Sequence, residues 1–133
     1  MNKFTRFETF ISDLAAGVHD LATGELRLAL TNMRPDEGRV LADITEIGYQ
    51  QCSDRGLSST LVRKGSGIRL SLDDPTPTAS GVVGPFRYFV VYNASAANKE
   101  MIGWSDYGRS VTLEKDDRIT VKFDQAKGVL EIS

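Results

Sequence analysis

From Phe7 onward the apolar residues recur every three or four positions, with Phe7, Phe10, Ile11, Leu14, Val18 and Leu21 on one stripe. That period predicts an amphipathic helix. Thr5 and Glu8 stand at capping-box spacing before it, and Gly24 suits a C-cap after it. The helix is therefore expected over about residues 5–23. Gly17 falls inside it, where glycine costs about 1 kcal/mol relative to alanine. Such a glycine would let the helix approach a sheet closely.

At "ELRLALTN" the period shifts to two. Leu26, Leu28 and Leu30 point one way and Arg27, Ala29 and Thr31 the other, the pattern of a half-buried strand. "NMRPDEGR" reads as a solvated loop broken by Pro35 and Gly38, and "VLADITEI" as an extended segment. "LSSTLVRK" and "IRLSLDD" flank "GSG", which predicts a hairpin. "DDPTPTASG" is a loop, because its two prolines remove ladder donors. After a break at Gly84–Pro85 come "FRYFVVYN", "MIGWSDYG", "SVTLEK", "RITVKFD" and "GVLEIS", with "EKDDR" and "DQAKG" as polar turns.

The expected fold is thus mainly β (α+β): one N-terminal amphipathic helix, then about seven or eight short strands in a β-sandwich or jelly-roll-like barrel. The 133 residues read as a single domain, 1–133, with the β-rich part over about 25–133. Gly84–Gly108 holds three of the four tyrosines and the only tryptophan. In its first strand Phe86, Tyr88, Val90 and Tyr92 share one face, and Arg87, Phe89, Val91 and Asn93 the other. Two apolar faces mark a strand covered on both sides, with the helix on one face and a second sheet on the other. Aromatics at strand spacing read as core before ligand platform.

Charge and cysteine content remove several function classes. Net charge is −2 and the pI about 5.4, which argues against bulk attraction to nucleic acid or anionic membrane. Cys52 is alone, so no intrachain disulfide forms. It reads as a small residue near a loop or strand edge rather than a nucleophile. No continuous apolar run follows Lys3, so no signal peptide is expected. No stretch is long enough to span a bilayer.

A catalytic set is hard to assemble. His19, the only histidine, lies one residue off the apolar stripe and reads as an exposed or boundary residue. With Cys52 it makes two candidate zinc ligands, too few for a site. Asp73–Asp74 and Asp116–Asp117 fall in turns, where aspartate serves the backbone. "GSG" and "GVVG" lack the strand–loop–helix context of a phosphate cradle. Asn93-Ala94-Ser95 matches a glycosylation sequon of no expected consequence. No enzyme activity, cofactor or metal is expected, and a binding or structural role is.

Six segments carry a resemblance: "F-x-x-F-I-S-D-L-A-A-G-V-H-D-L", "LRLALTN" followed by "LADITEI", "GPFRYFVVYN", "IGWSDYG" and "ITVKFDQAKGVLEIS". In this order they resemble a family of small virion structural proteins of tailed bacteriophages, similar to capsid decoration (cement) proteins. The likeness runs over nearly the whole chain. It implies a virion protein, made in the host bacterial cytoplasm and placed on the capsid surface. It would hold adjacent major capsid protein subunits together as a homo-oligomer, dimer or trimer, without nucleic acid or membrane. One stretch departs: "GYQQCSDRGL" is shorter and more polar than the glycine-rich loop of the family. If that loop makes the contact, its chemistry differs here. The alternative is a tail or adhesin module binding a host receptor or glycan through Tyr49, Trp104 or Tyr107.

Partner contacts are expected in the polar or proline-containing loops Arg34–Arg39, Tyr49–Gly56 and Asp73–Thr78. The candidate contact residues are Phe4, Arg34, Arg39, Tyr49, Arg55, Pro75 and Pro77. Phe4 enters as part of an N-terminal arm ahead of the helix that reaches a neighbour.

Overall fold

The computed structural model of the protein describes residues 4–21, 24–36, 38–48, 52–53, 56–65, 67–121 and 130–132. The described chain is mainly antiparallel β, with very little helix. Its strands are β1 (Thr5–Arg6), β2 (Leu26–Thr31), β3 (Cys52–Ser53), β4 (Gly56–Leu57) and β5 (Ser59–Lys64), then β6 (Gly67–Leu72), β7 (Thr78–Ala79), β8 (Val83–Asn93), β9 (Met101–Leu113) and β10 (Leu130–Ile132). One helix, α1 (Phe10–Ala15), and a 3₁₀ turn at Leu41–Asp43 complete the elements. These strands outnumber the seven or eight expected because several are two-residue pairings too short to leave a periodic trace.

The five-stranded sheet has the order β1-β9-β8-β2-β4, the three-stranded one β10-β6-β5, and β3 pairs with β7. β8 lies at the centre of the large sheet. Both its faces are apolar, and both are covered. Phe89 and Val91 join Leu26, Leu28, Leu30, Leu70 and Leu72 in one buried cluster, so residues of β6 pack with residues of β2 and β8. Tyr88, Val90 and Tyr92 join Phe7, Ala29, Ile44, Met101 and Trp104 in a second cluster, with Leu41 packed against it. Phe10 and Leu14 of the helix belong with the first cluster. The helix therefore shares a side with the second sheet. The opposite face is closed by Phe7 and the 41–44 segment. Ala29 is buried in the same cluster as Ile44 and Leu41, and Thr31 is also buried, so β2 is covered on both faces rather than one.

The helix is far shorter than the stripe of apolar residues predicts. Thr5 and Arg6 are spent on β1, opposite Trp104 and Gly103 of β9. Phe7 N–H donates to the carbonyl of Ile102, which continues the sheet rather than opening a helix. At the other end Gly17 takes φ +82°, while Val18 N–H bonds to Asp13 O and Gly17 N–H to Leu14 O. That pair of bonds is a Schellman C-cap with Gly17 at C′. Gly17 ends the helix; it does not sit inside it.

Two other breaks are also different in kind. Gly84–Pro85 lies within β8, in a register irregularity between Val83 and Phe86 where the missing proline donor is tolerated. "MIGWSDYG" and "SVTLEK" join as the single strand β9. Its register slips between Phe86 and Tyr88, and Gly108 takes φ +99°. The slip puts Phe86 in the cluster of Phe89 rather than that of Tyr88. The β5–β6 hairpin forms as expected, with Lys64 opposite Gly67 and Gly65 at φ +61°.

Candidate functional site

Four of the buried polar side chains among the described residues meet at one end of the large sheet, apart from Thr31 and Ser105. There α1, the 38–43 segment and the connection from β8 to β9 meet. Asp13 (2% exposed), His19 (6%), Asn93 (1%) and Glu100 (4%) are all buried. Each is placed by a different local cause. Asp13 follows Phe10 by three residues, so it projects from the buried face of the helix. The Schellman reversal then returns the chain so that the His19 ring lies 5.3 Å from the Phe10 ring. Asn93 ends β8, and its N–H bonds to Glu100 O to close the turn to β9.

Specific bonds join these groups. Arg39 Nη2 donates to Asp13 Oδ1 at 2.6 Å. Asn93 Oδ1 accepts from Ser95 N–H at 3.0 Å, which fixes the amide with Nδ2 facing His19 Nδ1, also at 3.0 Å. Nδ1 is therefore the acceptor, and the neutral ring carries its proton on Nε2. Glu100 Oε1 accepts from Asn98 N–H. Asp13 Oδ2 and His19 Nε2 have no hydrogen-bond partner among the described residues. The 38–43 segment is held by its backbone: Leu41 N–H donates to Lys99 O and Met101 N–H to Arg39 O. Asp43 Oδ2 accepts from Arg39 N–H and Val40 N–H.

Charges follow from these contacts. The two backbone donors hold the Asp43 carboxyl below its ordinary range. The hydrogen bond and charge of Asp13 hold the Arg39 guanidinium above its ordinary value. Burial pushes His19 below its ordinary value of 6.5, while Asp13 and Glu100 act in the opposite sense. The arrangement is a clasp joining three segments of chain. Outside it, residues 40–42 and 97–99 line an open groove of about 590 Å³.

A second polar group lies further along β8 and β9. Arg87 donates to both oxygens of Asp106, at 2.8 and 3.0 Å. This fork holds Asp106 below its ordinary carboxylate range. The Arg34 guanidinium lies 5.1 Å over the Trp104 ring and pairs with Asp36. Trp104 is buried (7% exposed) and packs edge-on to Tyr88. Tyr107 is partly buried against Phe89, with Arg109 over its ring.

The residues expected to meet a partner fall into different places. Arg39 enters the clasp and Arg34 covers Trp104. Phe4 packs on the first core cluster, its ring over Gly103. Of the arm ahead of the helix, Phe4 is thus packed within the chain, and residues 1–3 lie outside the described residues. Pro75 and Pro77 are buried, and their carbonyls accept from Val121 and Ile119 N–H. Prolines without donors can still supply acceptors to an edge. Tyr49 and Arg55 lie outside the described residues. Cys52 is buried in β3, and Asp117 Oδ2 caps the Glu114 N–H in its turn.

Asp13, Asn93 and Glu100 are the clasp residues that periodicity missed. The available signal was an acid on the apolar side of a helix, three residues after Phe10. His19 was expected exposed or at the boundary and is buried. Among the described residues no cluster of three histidine, cysteine or acidic side chains is placed to hold a metal. No described helix is long and apolar enough to cross a membrane. The fold and clasp define a mainly antiparallel β protein with a buried polar clasp; no protein family, curated protein or solved structure matches the chain.

Proposed function

We propose that the protein is a structural component of a tailed-bacteriophage virion, a capsid decoration protein that steadies contacts between major capsid protein subunits. The whole-chain resemblance, in order from "F-x-x-F-I-S-D-L" to "ITVKFDQAKGVLEIS", carries this reading. The central strand β8, covered on both faces, supports it with a rigid body. β5 supports it with an open edge, for β6 pairs with it on one side and no described strand on the other. Such an edge can accept an extended segment of a neighbouring subunit. The finer architecture belongs to the same proposal. The sheets that share Leu28, Leu70 and Phe89 are read as the layers of a sandwich or jelly-roll-like barrel. On the capsid surface the protein acts as a homo-oligomer, dimer or trimer, whose weak contacts gain strength by repetition.

The receptor-binding alternative draws less from the molecule. Of its candidate platform residues Tyr49, Trp104 and Tyr107, Trp104 is 7% exposed and covered by Arg34, Tyr107 is partly buried, and Tyr49 lies outside the described residues. Quantitative mass spectrometry of purified virions tests the proposal. Copies comparable in number with the major capsid protein support a head lattice. A handful per particle would move the protein to a tail or vertex and overturn the decoration reading.

A further inference from the structure

The clasp has a consequence that does not depend on the virion reading. The neutral His19 ring accepts a hydrogen bond at Nδ1 from Asn93 Nδ2, and Asn93 Oδ1 accepts from Ser95 N–H. A second proton on the ring must go to Nδ1, because Nε2 already carries one. Nδ1 would then present a donor to the Asn93 amide donor, and their bond is lost. A flip of the amide restores an acceptor to His19 but turns an NH₂ group onto Ser95 N–H. One of the two bonds must break in either case.

We infer that His19, Asn93 and Ser95 form a proton-operated latch, in which protonation of His19 at Nδ1 releases the turn joining β8 to β9. The turn depends on this anchor. Ser95 Oγ accepts from Glu25 N–H, Ala94 N–H donates to Glu25 O, and Ala96 N–H donates to Asn93 O. Its far end borders the groove at residues 97–99, and Lys99 O holds Leu41 N–H. Loosening the turn therefore reaches the 38–43 segment as well.

The groups around the ring make protonation attainable. Asp13 faces it from α1 and Glu100 from the head of β9, and both carboxylates favour the cation. Arg39 of the 38–43 segment opposes it from one bond further away, on Asp13 Oδ1. Asn93 of β8 is neutral. Asp13 Oδ2 has no hydrogen-bond partner among the described residues, so the carboxylate retains acceptor capacity for an imidazolium. Burial against Phe10 resists the charge, so the latch stays closed at neutral pH and opens only as the pH falls below the ordinary histidine value of 6.5.

Nitrogen NMR of the His19 ring, with hydrogen exchange at the Ser95 amide, tests this on the whole protein. The ring should be the Nε2–H tautomer at neutral pH. As the pH is lowered from neutral to below the ordinary histidine value of 6.5, the protection factor at Ser95 should fall at least ~10-fold in step with ring protonation. His19→Gln keeps an acceptor for Asn93 without the charge and should abolish the fall. Should that variant not fold, Asn93→Asp gives the second reading. Its carboxylate accepts from both Ser95 N–H and a protonated Nδ1, so acid should leave Ser95 protected. An Nδ1–H tautomer, a ring that titrates without change at Ser95, a ring that stays neutral until the whole sheet melts, or an unaltered fall in either variant would overturn the latch.

Discussion

Asp13 Oδ1 accepts from Arg39 Nη2 at 2.6 Å, yet the two side chains live in different solvents, for Asp13 is 2% exposed and Arg39 58%. A buried carboxylate needs a partner, and a long cationic side chain lets that partner arrive from the surface. The pair thereby ties the short helix to the 38–43 segment.

Removing the two partners should not be equivalent. Arg39→Ala leaves a buried carboxylate unpaired, whereas Asp13→Asn keeps an acceptor for an arginine that water already solvates. Thermal melts should show the larger fall for Arg39→Ala. Adding Arg39→Ala to Asp13→Asn should lower Tm by clearly less than Arg39→Ala alone does in the native protein. Equal and additive effects would mean that the pair contributes nothing to stability.

Gly103 and Phe4 test whether the first residues belong to this chain's core or to a neighbour. A Cβ at Gly103 would meet the Phe4 ring, and it would lie 2.9 Å from Thr5 O. Gly103→Ala must therefore lift the ring or part β1 from β9. Phe4→Ala should destabilise the isolated protein by about 1–3 kcal/mol through lost apolar burial. Gly103→Ala should cost less in the Phe4→Ala background, as expected for residues in contact. A Phe4→Ala protein with native stability in chemical unfolding would return Phe4 to the role of a partner anchor.

How much of this could be read from the chain depends on what each residue answers to. β2, the β5–β6 hairpin and β8 were legible because their side-chain alternation is itself the folding signal. The helix misled because Thr5 and Phe7 obey the sheet: β9 offers them backbone partners, and that tertiary demand outweighs a helical stripe. Gly17 and Gly24 are equally good stop signals in isolation, and only the bonds from Val18 and Gly17 to Asp13 and Leu14 choose between them. The clasp was largely invisible. His19 and Asn93 are far apart in the sequence, and no local pattern encodes a bond between them.

The core should respond more sharply than the open edge. Phe89 is 2% exposed, between Phe86 and Tyr107 with ring centroids at 5.9 and 5.8 Å. Phe89→Ala removes those edge contacts and leaves a cavity at the centre of the sheet, a loss of about 3–5 kcal/mol. Val62 on β5 is 48% exposed, so Val62→Ala should stay within about 0.5 kcal/mol. Urea unfolding of the isolated protein measures both. Under the decoration reading, Val62→Ala is also free to weaken capsid binding while stability holds.

Acid should destabilise the protein in two stages. His19 is held below its ordinary 6.5 in the folded state, so the unfolded chain takes up the proton first. Its contribution is therefore complete above about pH 6.5 and declines as pH falls toward the folded value, with a limiting slope of about 1.4 kcal/mol per pH unit. Asp43 and Asp106 are held below their ordinary 3.8 by backbone donors and by Arg87 respectively. Their contributions are present above that value and disappear as pH drops through the folded values, giving the second stage. Urea midpoints measured at intervals from neutral to strongly acid pH separate the stages. His19→Gln should flatten the first and leave the second, and Asp106→Asn should reduce the second, leaving the part due to Asp43, without changing the first. A first stage that survives His19→Gln would assign the early loss to another group.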